Sequence, residues 1–364
     1  MKPLRFLVRD SLSLVCLTAG IATSGEIAPV RSASDAPGTP GLAIPLDTLR
    51  GRDPATLQEE FADYARLGIR WLRTDLYWAD VQANGPDSFD WSEFDHILKL
   101  AEDHDLWLLP VVGTTPKWAQ KDKTRPSTPA NPADFARFME EAVRRYTPRG
   151  IHAWEIWNEP NMAGAWPPHP DPEGYAELLI AAHDAIKTAN PDALVIFGGL
   201  AAANWTGPVL DVQYVAATTF LDAVYDAGAG NAFDAMSFHP YSYPDMPNPD
   251  WRWNGWGMMH GPLRQIMKRR GDGDKKVWIT EFGAPSNAGH GGISEDEQAA
   301  LLRESIAIAY ETKWAGPVFW YSYRDRGSDM GNNEHWFGLI DKNGRRKPAW
   351  TTLRAASDQF PLER

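Results

Sequence analysis

Eight short apolar or aromatic runs recur along the chain, and this recurrence constrains the fold more than any other feature. They begin at Leu42 (LAIPL), Arg70 (RWLRTDL), Trp107 (WLLPVV), Ile151 (IHAWEIW), Ala193 (ALVIFGG), Phe233 (FDAMSFH), Lys276 (KVWITEF) and Pro317 (PVFWYSY). The intervals are 28, 37, 44, 42, 40, 43 and 41 residues. Each is the length of a strand, a helix and two loops, without internal sequence repetition. The intervening stretches read as helices. Leu57, Phe61 and Tyr64 share one face of the segment that starts at Pro54. Asn131-Pro132 pairs a cap residue with proline in the first turn. Ser294 with Glu297 three residues on forms a capping box. Strands alternating with helices imply a parallel sheet, and eight such units imply a single closed (β/α)8 barrel, an α/β fold. A doubly wound open sheet normally carries a glycine-rich phosphate turn after its first strand, and none follows Leu42–Leu46.

The chain divides at its N-terminal end. Met1–Ser24 has a positive start and a modestly apolar run of about a dozen residues, too short to span a bilayer. It reads as a signal peptide for export to the periplasm or the cell exterior, with no membrane insertion after cleavage. Residues 25–40, rich in Ser, Ala, Pro and Gly, read as a linker, and residues 41–364 as one catalytic domain. Cys16 is the only cysteine, which excludes internal disulfides, cysteine zinc sites and iron–sulfur clusters. A net charge of −12 argues against nucleic acid or an anionic membrane as partner. The 17 tryptophans stand out. Most are expected simply to pack, but the indole plate also suits stacking on the apolar face of a sugar ring.

In a barrel of this kind, functional groups sit at the C-terminal ends of strands. The fourth run ends Trp154-Glu155-Ile156-Trp157-Asn158-Glu159-Pro160-Asn161, and the seventh ends Trp278-Ile279-Thr280-Glu281-Phe282-Gly283. Each places a glutamate at the barrel mouth beside apolar neighbours. Glycosidic cleavage needs two such carboxyls, one protonated to donate to the leaving oxygen and one ionised. Apolar surroundings raise a carboxyl pKa and a nearby cation lowers it, so one cavity can hold both states.

With Asn158-Glu159-Pro160 and Thr280-Glu281-Phe282-Gly283, the chain resembles the retaining glycoside hydrolases of clan A across nearly all of residues 41–364. Family 39 and related glycosidases of exopolysaccharide loci are the nearest likeness, with family 5 cellulase-like enzymes next. The resemblance implies that Glu159 is the general acid/base and Glu281 the nucleophile, held about 5–5.5 Å apart as in retaining enzymes. It implies that Asn158 bonds the sugar 2-hydroxyl and that Arg73 keeps Glu281 ionised. His239 and Tyr241 are expected to contact substrate and nucleophile, Tyr241 donating to Glu281. Trp320 is expected to floor the cleavage subsite and Trp118 to form a weaker wall. The loop after the sixth run holds Trp251, Trp253 and Trp256 within six residues, and at least one is expected to line the substrate groove. The β-sandwich that accompanies many family 39 barrels has no counterpart here, so a bare barrel acting in mid-chain on a β-linked glycan is expected.

An exo-acting β-xylosidase or β-glucosidase is the alternative within the same chemistry, and two other readings compete. A barrel that binds sugar without cutting it would not need both glutamates. A metal-dependent hydrolase would need clustered His and Asp at strand ends, where only His239 stands; His152 lies at the opposite end of its strand. No cofactor motif is present, so no cofactor is expected. Asn204-Trp205-Thr206 fits a glycosylation sequon.

Overall fold

The computed structural model describes residues 37–203 and 214–359. The segments read as a signal peptide and the Asn204 sequon lie outside those residues, as does most of the linker. Eight parallel strands close into one barrel in sequence order: β1 (Pro40–Ala43), β2 (Trp71–Tyr77), β3 (Trp107–Gly113), β4 (Ala153–Asn158), β5 (Leu194–Ala201), β6 (Met236–His239), β7 (Val277–Phe282) and β8 (Ala315–Tyr321). Ring closure is made by β1 on β8, with Gly41 opposite Phe319 and Leu42 opposite Trp320. The barrel thus begins at Pro40, one residue earlier than composition implies.

Helices α1 (Pro54–Arg66), α2 (Ser92–Asp103), α3 (Pro132–Tyr146), α4 (Pro172–Ala189), α5 (Ala217–Asp226), α6 (Arg264–Arg269), α7 (Glu295–Glu311) and α8 (Pro348–Ser357) surround it. Their starts obey local chemistry. The Asn131 side chain accepts from the Ala133 amide at the head of α3. Ser294 and Glu297 exchange the two bonds of a capping box at α7. Asp53 accepts from Thr56 at α1, with proline in the first turn.

Two apolar layers follow from strand alternation. One lies between sheet and helices and holds Trp154, Phe197 and Trp320. The other fills the barrel with Trp71, Trp278, Phe319, Leu109 and Ile196, set against the small side chains of Ala43, Ala153 and Ala235. Trp71 meets Trp278 edge to face at 5.4 Å between ring centroids, and Trp278 stacks on Phe319 at 6.4 Å. The bulk of these rings requires glycine nearby, since a Cβ on Gly316 would sit 2.6 Å from the Trp278 ring. The interior is therefore an aromatic floor beneath the C-terminal mouth.

Replacing Trp71 by alanine removes a fully buried indole from that floor. The expected cost is about 3–5 kcal/mol, read as a lower midpoint in chemical denaturation with the slope unchanged.

Candidate active site

The mouth holds a cavity of about 420 Å³, within the usual range for ligand pockets. Arg73, Asn158, Glu159, Tyr241 and Glu281 all line it. A contiguous lobe of about 340 Å³ opens between the ends of β3 and β4, sharing Asp75, Tyr77 and Asn158 with the first.

The end of β4 turns its functional groups inward by an unusual backbone path. Trp157 (φ 72°) and Glu159 (φ 44°) both adopt left-handed conformations that side chains with a Cβ rarely take. Simple alternation after Glu155 would aim Trp157 into the barrel. Instead its indole packs edge-on against Phe135 and Trp166, while Asn158 and Glu159 face the cavity. Buried Asn161 clamps the turn, exchanging bonds with the backbone of Ala201 and donating to the Val215 carbonyl. Non-glycine residues persist in such conformations only where the surroundings over-determine them, a state common at functional sites.

Glu281 lies at the end of β7. One oxygen accepts from Arg73 Nη1 at 2.6 Å and the other from the Tyr241 hydroxyl at 3.0 Å. Burial works to raise its pKa, but the charges of His239 and Arg73, with these hydrogen bonds, outweigh it and hold the carboxyl below its ordinary value. Tyr241 is pushed well up by burial and by the Glu281 charge, so it stays a neutral donor. Glu159 has a different environment. Its Oε1 lies 2.9 Å from His239 Nδ1, and among the described residues no arginine or lysine pairs with it. One carboxylate oxygen of Glu159, one of Glu281 and a ring nitrogen of His239 all lie within 4.8 Å of one another. That spacing also suits a cation. Here, however, Glu281 already takes donors from Arg73 and Tyr241, so the set is hydrogen-bonded as a carboxyl pair.

Arg73 is shared. Beside Glu281, it donates through Nε and Nη2 to Glu155 at 2.7 and 3.2 Å, and through Nη2 to Asn158 Oδ1 at 2.6 Å. Glu155, fully buried, also accepts from the Gly199 amide, Ser237 and Thr280.

Several expected residues are placed elsewhere. Trp320 is fully buried on the outer face of β8 and packs edge-on against Phe282 at 5.3 Å. It cannot floor a subsite, because Phe319 and Tyr321 alternate inward and Tyr321 meets the cavity. Trp256 is also buried, against Phe282. Trp118 packs on Trp78, bonds the Gln82 carbonyl and lines neither lobe. Trp251 and Trp253 are 45% and 47% exposed but lie outside both lobes. His239 is fully buried beneath the glutamates, between Glu159 and Thr280, so it does not reach a sugar hydroxyl.

The structure adds cavity residues not anticipated from sequence. Asp75 and Tyr77 follow Arg73 on the same face of β2. Asp75 accepts from the Leu46 amide, and burial pushes its carboxyl up. Spacing of two and four from Arg73 is the signal that would have found them. Tyr321 and Arg326 close the far side, Tyr321 donating to Glu334 at 2.8 Å.

The family model for cellulase (glycosyl hydrolase family 5) matches residues 34–324. The chain belongs to glycosyl hydrolase family 5. It is thus a clan A enzyme, as its motifs imply, though the matching family is the one that the sequence likeness placed second. No curated protein sequence matches it. Among solved structures, a family 39 glycoside hydrolase from Bacteroides cellulosilyticus superposes with a TM-score of 0.69 at 23% identity. That match covers 90% of this chain, and this chain spans 65% of that one. A family 5 subfamily 18 enzyme from Bifidobacterium longum, solved with Manβ1-4GlcNAc, gives 0.62 at 17% identity, covering 88% of this chain and 78% of that one. Xylanase 10B from Thermotoga maritima gives 0.62 at 16%, covering 92% and 98%. At these identities the likeness is one of fold.

Arg73→Lys keeps the charge but loses the fork that reaches both carboxylates. Glu281 then becomes easier to protonate, and the acid limb of kcat/KM against pH is expected to rise by roughly one unit. An unmoved acid limb in a folded variant would show that Arg73 does not hold Glu281 ionised.

Proposed function

We propose that the protein is a retaining β-glycosidase that acts within β-linked polysaccharide or oligosaccharide chains by double displacement. The observation that carries this reading is the close approach of two unlike carboxyls. Their nearest oxygens lie within 4.8 Å, which favours the retaining geometry of about 5–5.5 Å over the wider gap that admits a water in inverting enzymes. In the first step Glu281 attacks the anomeric carbon while Glu159 gives its proton to the departing glycosidic oxygen. The C–O bond breaks and a glycosyl ester forms on Glu281. In the second step Glu159, now ionised, takes a proton from water, whose oxygen displaces Glu281 and frees the sugar with its original configuration. Asn158, oriented by Arg73 through its carbonyl oxygen, has no partner for its amide nitrogen among the described residues and turns it to the sugar 2-hydroxyl, a contact that strengthens as charge develops at the anomeric carbon.

Cleavage within a chain is supported by two contiguous lobes, each the size of a ligand pocket. β-Linked substrates are supported by relatives of the same fold, a xylanase and an enzyme solved with a β-1,4-linked disaccharide. Trp251 and Trp253 are indole plates on a loop clamped by Asn254, which donates to the Met246 carbonyl and accepts from the Asn248 and Trp256 amides. We assign them to holding the polymer beyond the cleft. The reading of Met1–Ser24 as a signal peptide places this activity outside the cytoplasm.

Glu281→Gln is expected to abolish release of reducing ends from β-linked polysaccharides while leaving the melting profile and glycan binding intact. Substantial residual turnover would remove Glu281 from the nucleophile role. Glu159→Gln should slow poor leaving groups by about 10²–10⁴-fold and activated aryl glycosides far less. NMR of the first-formed anomer decides retention against inversion. Replacing Trp251 and Trp253 together by alanine should weaken retention on insoluble polymer and spare short substrates; unchanged retention would exclude them as platforms.

A further inference from the structure

Glu155 lies beneath the cavity, fully buried and out of reach of any substrate, yet hydrogen bonds lead from it to both cavity carboxyls. Towards Glu281 the link is Arg73, whose Nε and Nη2 bond Glu155 while Nη1 bonds Glu281. Towards Glu159 it is a relay across three strands. Thr280 Oγ1 on β7 lies 3.0 Å from Glu155 Oε1, His239 Nε2 on β6 lies 3.0 Å from Thr280 Oγ1, and His239 Nδ1 lies 2.9 Å from Glu159 Oε1, just past the end of β4.

Hydrogen-bond valence gives this relay a direction. An ionised carboxylate only accepts, and a hydroxyl has one proton. Thr280 Oγ1 also touches the Ser237 hydroxyl, which itself bonds Glu155, so the Thr280 proton goes to Glu155 directly or by way of Ser237, and in either case the Thr280 oxygen presents a lone pair to His239. His239 Nε2 must then carry a proton, which leaves Nδ1 to share the remaining one with Glu159. The ring packs directly on the Gly199 backbone, where a Cβ would sit 2.1 Å from Nε2.

We propose that Glu155 is the positioning residue for both catalytic carboxyls: it aims Arg73 at Glu281, and through Thr280 and His239 it keeps a proton on the Glu159 side of the cavity. The inference rests on the glycosidase reading of those two glutamates. Other groups that face this proton are Glu281, 3.8 Å from His239 Nδ1, and Tyr241, with Arg73 behind Glu281.

Two variants separate the two arms. Thr280→Val is nearly isosteric and removes the acceptor for His239 Nε2. The proton can then move to Nδ1 and point at Glu159, which favours the ionised acid/base. The basic limb of kcat/KM is expected to fall by roughly one pH unit, and Thr280→Ser is expected to restore it. In Glu155→Gln the amide oxygen takes the place that accepts from Gly199, Ser237 and Thr280, and its NH2 opposes Arg73 Nε. Arg73 is pushed off Glu281, so the acid limb rises and kcat drops at least tenfold with little change in KM. A purely structural Glu155 would lower the melting temperature and move neither limb.

A readout without turnover keeps the test independent of the glycosidase reading. In protein with nitrogen-labelled histidine, with His239 assigned by its substitution, Nε2 is expected to be protonated near neutral pH in the wild type and to lose that proton in Thr280→Val. An unprotonated wild-type Nε2 overturns the proposal, as do unmoved limbs in both folded variants. If no β-glycan is turned over but the nitrogen signals behave as stated, the glycosidase reading fails and the relay stands.

Discussion

One guanidinium divided between two carboxylates organises this molecule. Arg73 is almost wholly buried, and it bonds Glu155, Glu281 and Asn158 at once. Buried charges persist only when paired and hydrogen-bonded, and here one cation answers two anions. The resulting shortage of positive charge bears on function. An arginine given wholly to Glu281 would stabilise that carboxylate more strongly. Shared with Glu155, it still helps to hold the Glu281 carboxyl below its ordinary pKa.

The aromatic floor makes this arrangement consequential. Trp71, Trp278 and Phe319 seal the barrel below the charged layer, and interactions between charges grow stronger where water is excluded. Above that floor, strands β2, β4, β6 and β7 each deliver polar groups at one level. The left-handed turn at the end of β4 then brings Glu159 over His239. Fold and site are thus coupled by layering: apolar bulk low in the barrel, a charge network above it, and the open cavity on top.

The eight-strand architecture was legible in the sequence because each strand carries a short apolar run bounded by turn and cap residues. The two glutamates and Arg73 were legible as polar residues in strand ends that are otherwise apolar. Trp320 was misplaced because its side chain lies one step out of phase with the inward-facing Phe319 and Tyr321, a matter of parity that residue type does not reveal. Glu155 escaped notice because it stands four residues before a more conspicuous glutamate, and its partners come from β2, β5, β6 and β7. His239 sits on the strand where it was expected. Its contacts, however, depend on the closeness of Gly199, which only the assembled barrel defines. The loop tryptophans illustrate the limit of composition: of three in six residues, one is core and two face outward.

The site's wiring also has a consequence for how the protein comes into being. Arg73 and Glu281 are 208 positions apart along the chain, and Glu155 and Thr280 are 125 apart. Contacts of such sequence separation form only after long loops have closed, and they dominate the slow part of folding. No fragment that lacks either half of the barrel contains the charge network. A nascent chain therefore carries its buried charges unpaired until the later strands arrive, so synthesis of the last quarter of the protein completes the pairing of the second strand's arginine.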